Sequence, residues 1–592
     1  MNMFEVEYDS YRGRYLTASE EIQAGTVIIH EHSFSAIIIS KKTSDRFICC
    51  HCFKEIFTTP VQCFGCDDEL YCSIACKLSS WKSHHWMECF MSSLLGKMTT
   101  ELKLAFRIIL VAAHSLFREE NCQSIHNVCK DMFQTGSTSK KQKQATSLIK
   151  SCDENYWSIY SLQRHENEKA INEQYLSMKN DIRMLTKVLL SIISLYNNLG
   201  DFSFPGKDIE HNIGSTFLYS LFKKLNFSSY YENPNFDIRL WKSHIMSSCD
   251  PAGSKKGFFP NRSIEDIFSG KPLTEQDLLE RLLVHHLLQL RTNTQAIFKI
   301  CEEKGVQGVQ NIEQKRIASA LFCKTSLMNH SCSPNTTISF DGLTITVSAS
   351  KIIKKGEEIC HCYGPHCSRH DVKERQRLLK EQYFFTCSCE GCASDLKDDS
   401  EQSSFKVQFH AFKCKYCGDP VKPGKDGSGT CINSNCNKVQ DLRQSILSYK
   451  KCQSKMEETC SALNNGNCKN AKPELLECLK QANKLLYHNH IDIGKLHDKI
   501  AQCFVMEGNY TSALPHLTKS IAIIGMLHGT RSIEMAHELQ KLASLYFNMG
   551  NINHAVTNAK KVISIYKICC PGTETMQPGF EDMVQIVKTL EK

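Results

Sequence analysis

Ser326-Leu327-Met328-Asn329-His330-Ser331-Cys332-Ser333-Pro334-Asn335 is the stretch on which the reading of this chain turns. An Asn-His pair by itself reads as a turn with a capping side chain. Cys332 gives it more weight, because Cys387-x-Cys389-x2-Cys392 follows 55 residues on (387 minus 332). Three thiolates are one short of a closed tetrahedral zinc site. Cys332 is the candidate fourth ligand, and a metal held by all four would clamp two distant segments into one pocket wall. Two aromatic runs lie between them: Cys362-Tyr363-Gly364-Pro365-His366 and Gln382-Tyr383-Phe384-Phe385-Thr386. His330 could be read as a zinc ligand itself, but the thiolates nearby make it the poorer donor.

Cysteine is the compositional outlier, at 32 of 592 residues. Met1 to Tyr15 carry acids and polar residues without the apolar core of a signal peptide. No uninterrupted run of about 18 apolar residues predicts a membrane span. Thiols in such a chain are expected to stay reduced, in the nucleus or the cytoplasm, and clustered ones to hold metal. The densest cluster reads Cys49-x2-Cys52, Cys63-x2-Cys66, Cys72-x3-Cys76 and His85-x3-Cys89. Eight ligands in four pairs imply two zinc ions, with metal binding as the folding energy of a segment too small for its own core. Cys50 and His84 stand beside ligand positions, and the spacing favours Cys49 and His85. A third cluster, Cys414-x2-Cys417 with Cys431-x4-Cys436, reads as a zinc ribbon for one ion, a staple rather than a reactive centre. The other cysteines, among them Cys122, Cys129, Cys301, Cys323, Cys360, Cys362, Cys503, Cys569 and Cys570, read as small buried hydrophobes.

Hydrophobic residues at 41% suffice for real cores, and the length suggests about three to five domains. The net charge, 71 basic minus 63 acidic or +8, is too slight to mark a nucleic-acid binder. Thr26-Val27-Ile28-Ile29 and Ala36-Ile37-Ile38-Ile39 read as strands. From about 93 to 320 the pattern reads as helical, broken by a polar, lysine-rich loop near 134 to 146. Short strands return at 336 to 360, with a hairpin turn at Phe340-Asp341-Gly342-Leu343. From about 440 the chain is helical and repeats itself: Gly466-Asn467, Gly508-Asn509 and Gly550-Asn551 recur at 42-residue intervals (508 minus 466, 550 minus 508). Each is followed, four places after its Asn, by Ala471, Ala513 or Ala555. A Gly-Asn turn with a small residue at the next helix contact is the signature of a tetratricopeptide-like helix-hairpin repeat.

Together these motifs resemble the SET and MYND domain-containing lysine methyltransferases, and the likeness covers nearly the whole chain. The Tyr-Gly-Pro-His and Gln-Tyr-Phe-Phe runs and the extra ribbon are most similar to the type-4 members of that family. That type usually carries further tetratricopeptide helices ahead of the SET domain, which are absent from this chain. The resemblance implies an α+β chain with a β-rich SET domain split by insertions. Its expected parts are a SET N-terminal part (1–48), a MYND-type double-zinc finger (49–89), a helical insertion (90–315), the SET catalytic core (316–365), a post-SET zinc site (366–395), a ribbon (405–440) and helical repeats (441–592). It implies S-adenosylmethionine as methyl donor, held by Arg12, Gly13, Arg14, Tyr160, Asn293, Asn329 and His330 together with Tyr363 and Phe385. Tyr363 would be the catalytic tyrosine, with Tyr383 and Phe385 walling the lysine channel. Tyr15 stands where the family has the second glycine of a Gly-x-Gly turn, which puts the close approach to cofactor there in doubt.

The chemistry calls for the same residue types. A lysine amine, with a pKa near 10.4 in solution, must lose its proton before it attacks a sulfonium methyl group. An aromatic channel disfavours the charged form and fixes the approach. The family also implies protein substrates, histone or non-histone, a role in transcription regulation, proline-containing peptides at the MYND-type finger, co-repressor complexes and a monomeric state. The competing expectation is a catalytically weak adaptor or co-regulator, for which Tyr15 is the sequence argument.

Overall fold

The computed structural model describes residues 3–10, 12–43, 46–63, 65–118, 156–165, 168–197, 275–304, 310–397, 407–424, 426–464, 468–570 and 574–589. The lysine-rich segment at 134 to 146, the Gly466-Asn467 turn, Cys122 and Cys129 lie outside them.

Small sheets form the N-terminal half. β1 (Phe4–Asp9) and β2 (Gly13–Ala18) are an antiparallel pair with Phe4 opposite Ala18. β3 (Val27–His32) joins β10 (Thr344–Ala349), which pairs in turn with β9 (Thr336–Asp341). β4 (Ser35–Ile38) joins β8 (Gln310–Leu321), which pairs with β7 (Gln295–Lys304). Residues more than 250 positions apart thus share a sheet, and the segments between are insertions. The two expected N-terminal strands are β3 and β4. The expected hairpin is also present: β9 and β10 turn through Gly342-Leu343, with Gly342 at φ +59°.

One expectation is corrected. The helical pattern ends at Asn293, and Gln295–Lys304 and Gln310–Leu321 form the antiparallel strands β7 and β8 instead. Asn293 stops the helix by turning its own side chain back onto the Gln289 carbonyl at 2.8 Å. The β-branched and aromatic residues that follow, Ile297, Phe298 and Ile300, then favour a strand.

The finger is a β5 (Val61–Gln62) and β6 (Leu70–Tyr71) hairpin followed by helices Ile74–Ser80 and Trp86–Phe90, joined by a wider turn at Trp81–His85. Ser73 caps the first helix by accepting from the Cys76 N–H. The insert helix Thr100–Arg118 packs on the finger and on β4, Glu275–Asn293 packs between it and Lys169–Asn197, and all share one core. The finger is fixed to the sheet by contacts with no slack. A Cβ on Gly342 would stand 2.2 Å from the Cys52 carbonyl oxygen, so only glycine fits there. Beside it, Lys54 pairs with Asp341 at 2.8 Å.

After the helices Val372–Tyr383 and Glu390–Lys397 comes a four-stranded ribbon, in order β11 (Phe412–Lys413), β12 (Pro420–Pro423), β13 (Ser428–Cys431) and β14 (Val439–Asp441). It shares a core with the helices Arg443–Asn464 and Cys468–Leu485. The repeat has the expected period: Gly508 and Gly550 turn at φ +73° and +74°, and Asn509 and Asn551 cap the helices Tyr510–His528 and Ile552–Cys569. Ala513 and Ala555 are wholly buried where helices meet. The last repeat rests on the β3–β10–β9 sheet, where Thr337 Oγ1 of β9 donates to the Cys569 carbonyl at 3.0 Å. Among the described residues no helix is long and apolar enough to cross a membrane.

Candidate active site

The sixteen expected metal ligands fall into four groups of four. The finger is cross-braced: Cys49, Cys52, Cys72 and Cys76 converge, as do Cys63, Cys66, His85 and Cys89. A zinc–sulfur bond of about 2.3 Å gives tetrahedral edges of about 3.8 Å. Cys52 and Cys72 are 3.7 Å apart and Cys63 and Cys89 3.8 Å, so the donor sets fit zinc. His84 instead bonds Ser83 Oγ and belongs to neither group, and Cys50 is likewise outside both. Glu88 sits 3.8 Å behind His85 Nδ1 and is itself gripped by Arg107 at 2.6 and 2.7 Å. This is the carboxylate that orients a ligating imidazole. Arg107 also donates to the Ala36 carbonyl at 2.7 Å and so ties the finger to β4. In the ribbon, Cys414 and Cys436 are 3.8 Å apart, Cys417 and Cys431 3.5 Å.

The fourth group joins the two segments on which the sequence reading turned. Cys332 Sγ lies 3.5 Å from Cys392 Sγ and 4.0 Å from Cys387 Sγ, and its N–H points to Cys389 Sγ. The backbones are stitched as well. Ser331 N–H donates to the His361 carbonyl, His361 N–H to that of Asn329, and Cys367 N–H to that of Cys332. His330 is outside the metal group. Its Nδ1 accepts the Tyr363 N–H at 3.0 Å, so Nε2 carries the proton and faces Cys332 Sγ at 3.2 Å. The histidine thus links the metal site to the backbone of Tyr363.

A cavity of about 1420 Å³ opens beside this junction. Arg12, Gly13, Arg14, Asn293, Asn329, His330, Tyr363, Tyr383 and Phe385 all line it, although they come from five separate stretches of chain. Tyr160 ends the short helix Tyr156–Tyr160, and its side chain lies outside the described residues. Tyr15 does not line the cavity. Its ring lies under the Arg12 guanidinium, 4.1 Å from centroid to carbon, and its hydroxyl donates to Glu7. The departure from Gly-x-Gly therefore places the Tyr15 side chain away from the cavity wall, against Arg12 and Glu7.

The aromatic cluster is compact. Tyr363 lies 4.8 Å from Tyr383 and 6.4 Å edge-on from Phe385, centroid to centroid. The Tyr363 hydroxyl donates to the Met328 carbonyl at 2.8 Å, and the Tyr383 hydroxyl to the Tyr363 carbonyl at 3.1 Å. Burial pushes both phenols up, Tyr383 to about 12, so both keep their protons at physiological pH. A second cavity of about 1560 Å³ lies on the other side. His361, Cys362 and Gly364, the neighbours of Tyr363, line it together with β7, β9, the finger and the last repeat helices. Cys360 and Cys362 thus stand at cavity walls, half-buried, not in the core as expected.

Some site residues were missed. Glu358 accepts from Asn329 Nδ2 at 2.9 Å and from Arg12 at 3.0 Å, so it positions two expected cofactor residues at once. Phe384 ends its helix in the left-handed region at φ +64° and turns its ring toward His165, 5.4 Å away across the same cavity. Gln163 and Ser161 hold Asn293 and Arg14 through backbone carbonyls. Glu31, buried, accepts from the N–H groups of Lys324 and Thr325 and so anchors the turn ahead of Met328.

Residues 13–364 match the SET domain family, and the chain belongs to it. The chain is 27% identical to Protein-lysine N-methyltransferase SMYD4 of Mus musculus over 96% of this chain and 67% of that protein. It is also 27% identical to the protein of that name from Danio rerio, over 97% and 73%. N-lysine methyltransferase SMYD2 of Homo sapiens is 24% identical over 44% of this chain and 53% of its own length. Among solved structures, kinesin light chain TPR-like repeats from Podosopora anserina align with 24% of this chain and 70% of theirs, at a TM-score of 0.22 and 18% identity.

Proposed function

We propose that this chain is a protein-lysine N-methyltransferase using S-adenosylmethionine, with the larger cavity receiving the polypeptide and the smaller the methyl donor. The observation that carries the reading is the place of Tyr363. Its ring lines one cavity, and its immediate neighbours line the other. The donor supplies a methyl group on a sulfonium, and the protein's task is to present a neutral amine in line with it. The Phe384–His165 pair offers flat surfaces for a nucleobase, and the Asn329–Glu358–Arg12 network offers polar groups for a ribose and an amino acid.

Each aromatic residue has a part in that presentation. The rings of Tyr363, Tyr383 and Phe385 exclude water, which disfavours the ammonium form of the incoming lysine. Its proton leaves to solvent before the nitrogen lone pair attacks the methyl carbon. The C–S electron pair departs with sulfur as the C–N bond forms. The electron-rich ring faces favour a positive charge between them throughout. Neither phenol ionises at working pH, so Tyr363 acts as a hydrogen-bonding wall and not as a base. β7 and β9 are each the outer strand of their sheet and both line the larger cavity, which suits an extended polypeptide. Calorimetry with the zinc-loaded chain tests the reading: S-adenosylmethionine binds, and Asn329→Ala weakens it about tenfold. Absence of binding refutes it.

A further inference from the structure

The proposal builds on the methyl-transfer reading and names a determinant of the substrate. The larger cavity does not end at Gly364. It continues along β7 to the zinc finger; Phe57 of the finger, 73% exposed, and Phe298 of β7, 41% exposed, both line it. Two large apolar side chains this open on the walls of one cavity offer an apolar surface to whatever the cavity receives. The patch is also held in shape. Arg46 stacks on Phe57 at 4.2 Å, Glu55 pairs with Arg46 at 3.8 Å, and Lys299 of β7 reaches the same Glu55 at 3.2 Å. The finger packs closely on the turn beside β9, where Gly342 meets the Cys52 carbonyl without room for a single carbon.

We propose that the finger reads the substrate: the Phe57–Phe298 face docks an apolar or aromatic residue of the polypeptide whose lysine enters the channel. The register follows from β7. Gln295 lies at the channel end, 3.5 Å from His361, and Lys299 at the finger end. They stand four positions apart (299 minus 295), about 13 Å at the usual strand rise. A polypeptide lying along this outer strand advances at the same rise, so the docked residue stands about four positions from the target lysine.

A lysine-centred peptide library, randomised at about six positions on each side, tests this with the full zinc-loaded chain. Two readings are taken: which peptides the protein retains and which it labels from S-adenosylmethionine. Wild type is expected to enrich apolar and aromatic residues at one position about four from the lysine. Phe57→Ala and Phe298→Ala are expected to abolish that enrichment and to weaken the best peptide about tenfold. Their melting temperature and S-adenosylmethionine affinity should match wild type, since both side chains are exposed. Retention with the expected pattern but without labelling would sink the methylation reading and leave the docking face standing. No retention, no apolar preference at that distance, or a preference that survives Phe57→Ala overturns the proposal.

Discussion

Replacing Arg107 by Met should uncouple the zinc finger from the SET sheet. Arg107 is 8% exposed, makes two bonds to the equally buried Glu88 and a third to the Ala36 carbonyl. Burial alone would raise the Glu88 pKa, but the guanidinium outweighs it and holds the carboxyl well below its usual range. Removing one partner of such a pair leaves a buried, unpaired charge and costs about 3–5 kcal/mol. Removing both, in Arg107→Met with Glu88→Gln, relieves that charge and should recover about 2 kcal/mol of the loss. Trp81 and Trp86, each 2% exposed within the finger, report its unfolding in urea once Trp157 and Trp241 are replaced by Phe. Glu88 also stands behind His85, so the single variant should release zinc faster to a chromophoric chelator. A single variant within about 0.5 kcal/mol of wild type, or strictly additive effects in the double, would refute the coupling.

Other perturbations separate the parts. Gly342→Ala forces a carbon to 2.2 Å from the Cys52 carbonyl at a positive φ, and should speed chelation of the Cys49 group while leaving ribbon zinc unchanged. Cys332→Ser should lower bound zinc by about one ion per chain by elemental analysis, and abolish S-adenosylmethionine binding because the same residue anchors His330. The rate of transfer should rise with pH as the substrate amine loses its proton. The phenols are pushed upward, Tyr383 to about 12, so they stay protonated and no falling limb should appear below about pH 11. A fall between about pH 8 and 10 would mean an ionising tyrosine. Asn551→Ala removes the cap that accepts the His554 N–H and should cost the last repeat about 1 kcal/mol in thermal unfolding.

Much of this site was legible because its chemistry is local in sequence. Cysteine pairs at tight-turn spacing announce metal wherever they occur, and the unfinished trio at Cys387 asks for a partner that only a distant cysteine can supply. The 42-residue interval was equally readable, since each Gly-Asn turn carries its own conformational requirement. What escaped depends on three-dimensional coincidence. Glu358 stands in a run that looks like any solvated acidic turn, and nothing local says that Asn329 and Arg12 converge on it. Phe384 looks like core until the helix ends beneath it in the left-handed region. The β7–β8 pair was masked by the long helical pattern before it, whose end is set by the Asn293 side chain folding back. The place of the Tyr15 side chain escaped for the same reason, because the strand pairing opposite Glu7 carries its hydroxyl to that carboxylate.

The central claim is that Tyr363 marks the point where a lysine amine and a sulfonium methyl group meet. Single-turnover transfer of labelled methyl from S-adenosylmethionine to a lysine peptide, compared between wild type and Tyr363→Phe, tests it most directly. The variant loses only the hydroxyl bonded to Met328 and keeps the ring. The account predicts unchanged S-adenosylmethionine affinity with a transfer rate at least about tenfold lower, as expected for one lost transition-state contact. An undiminished rate, or label that never reaches lysine in wild type, would contradict it.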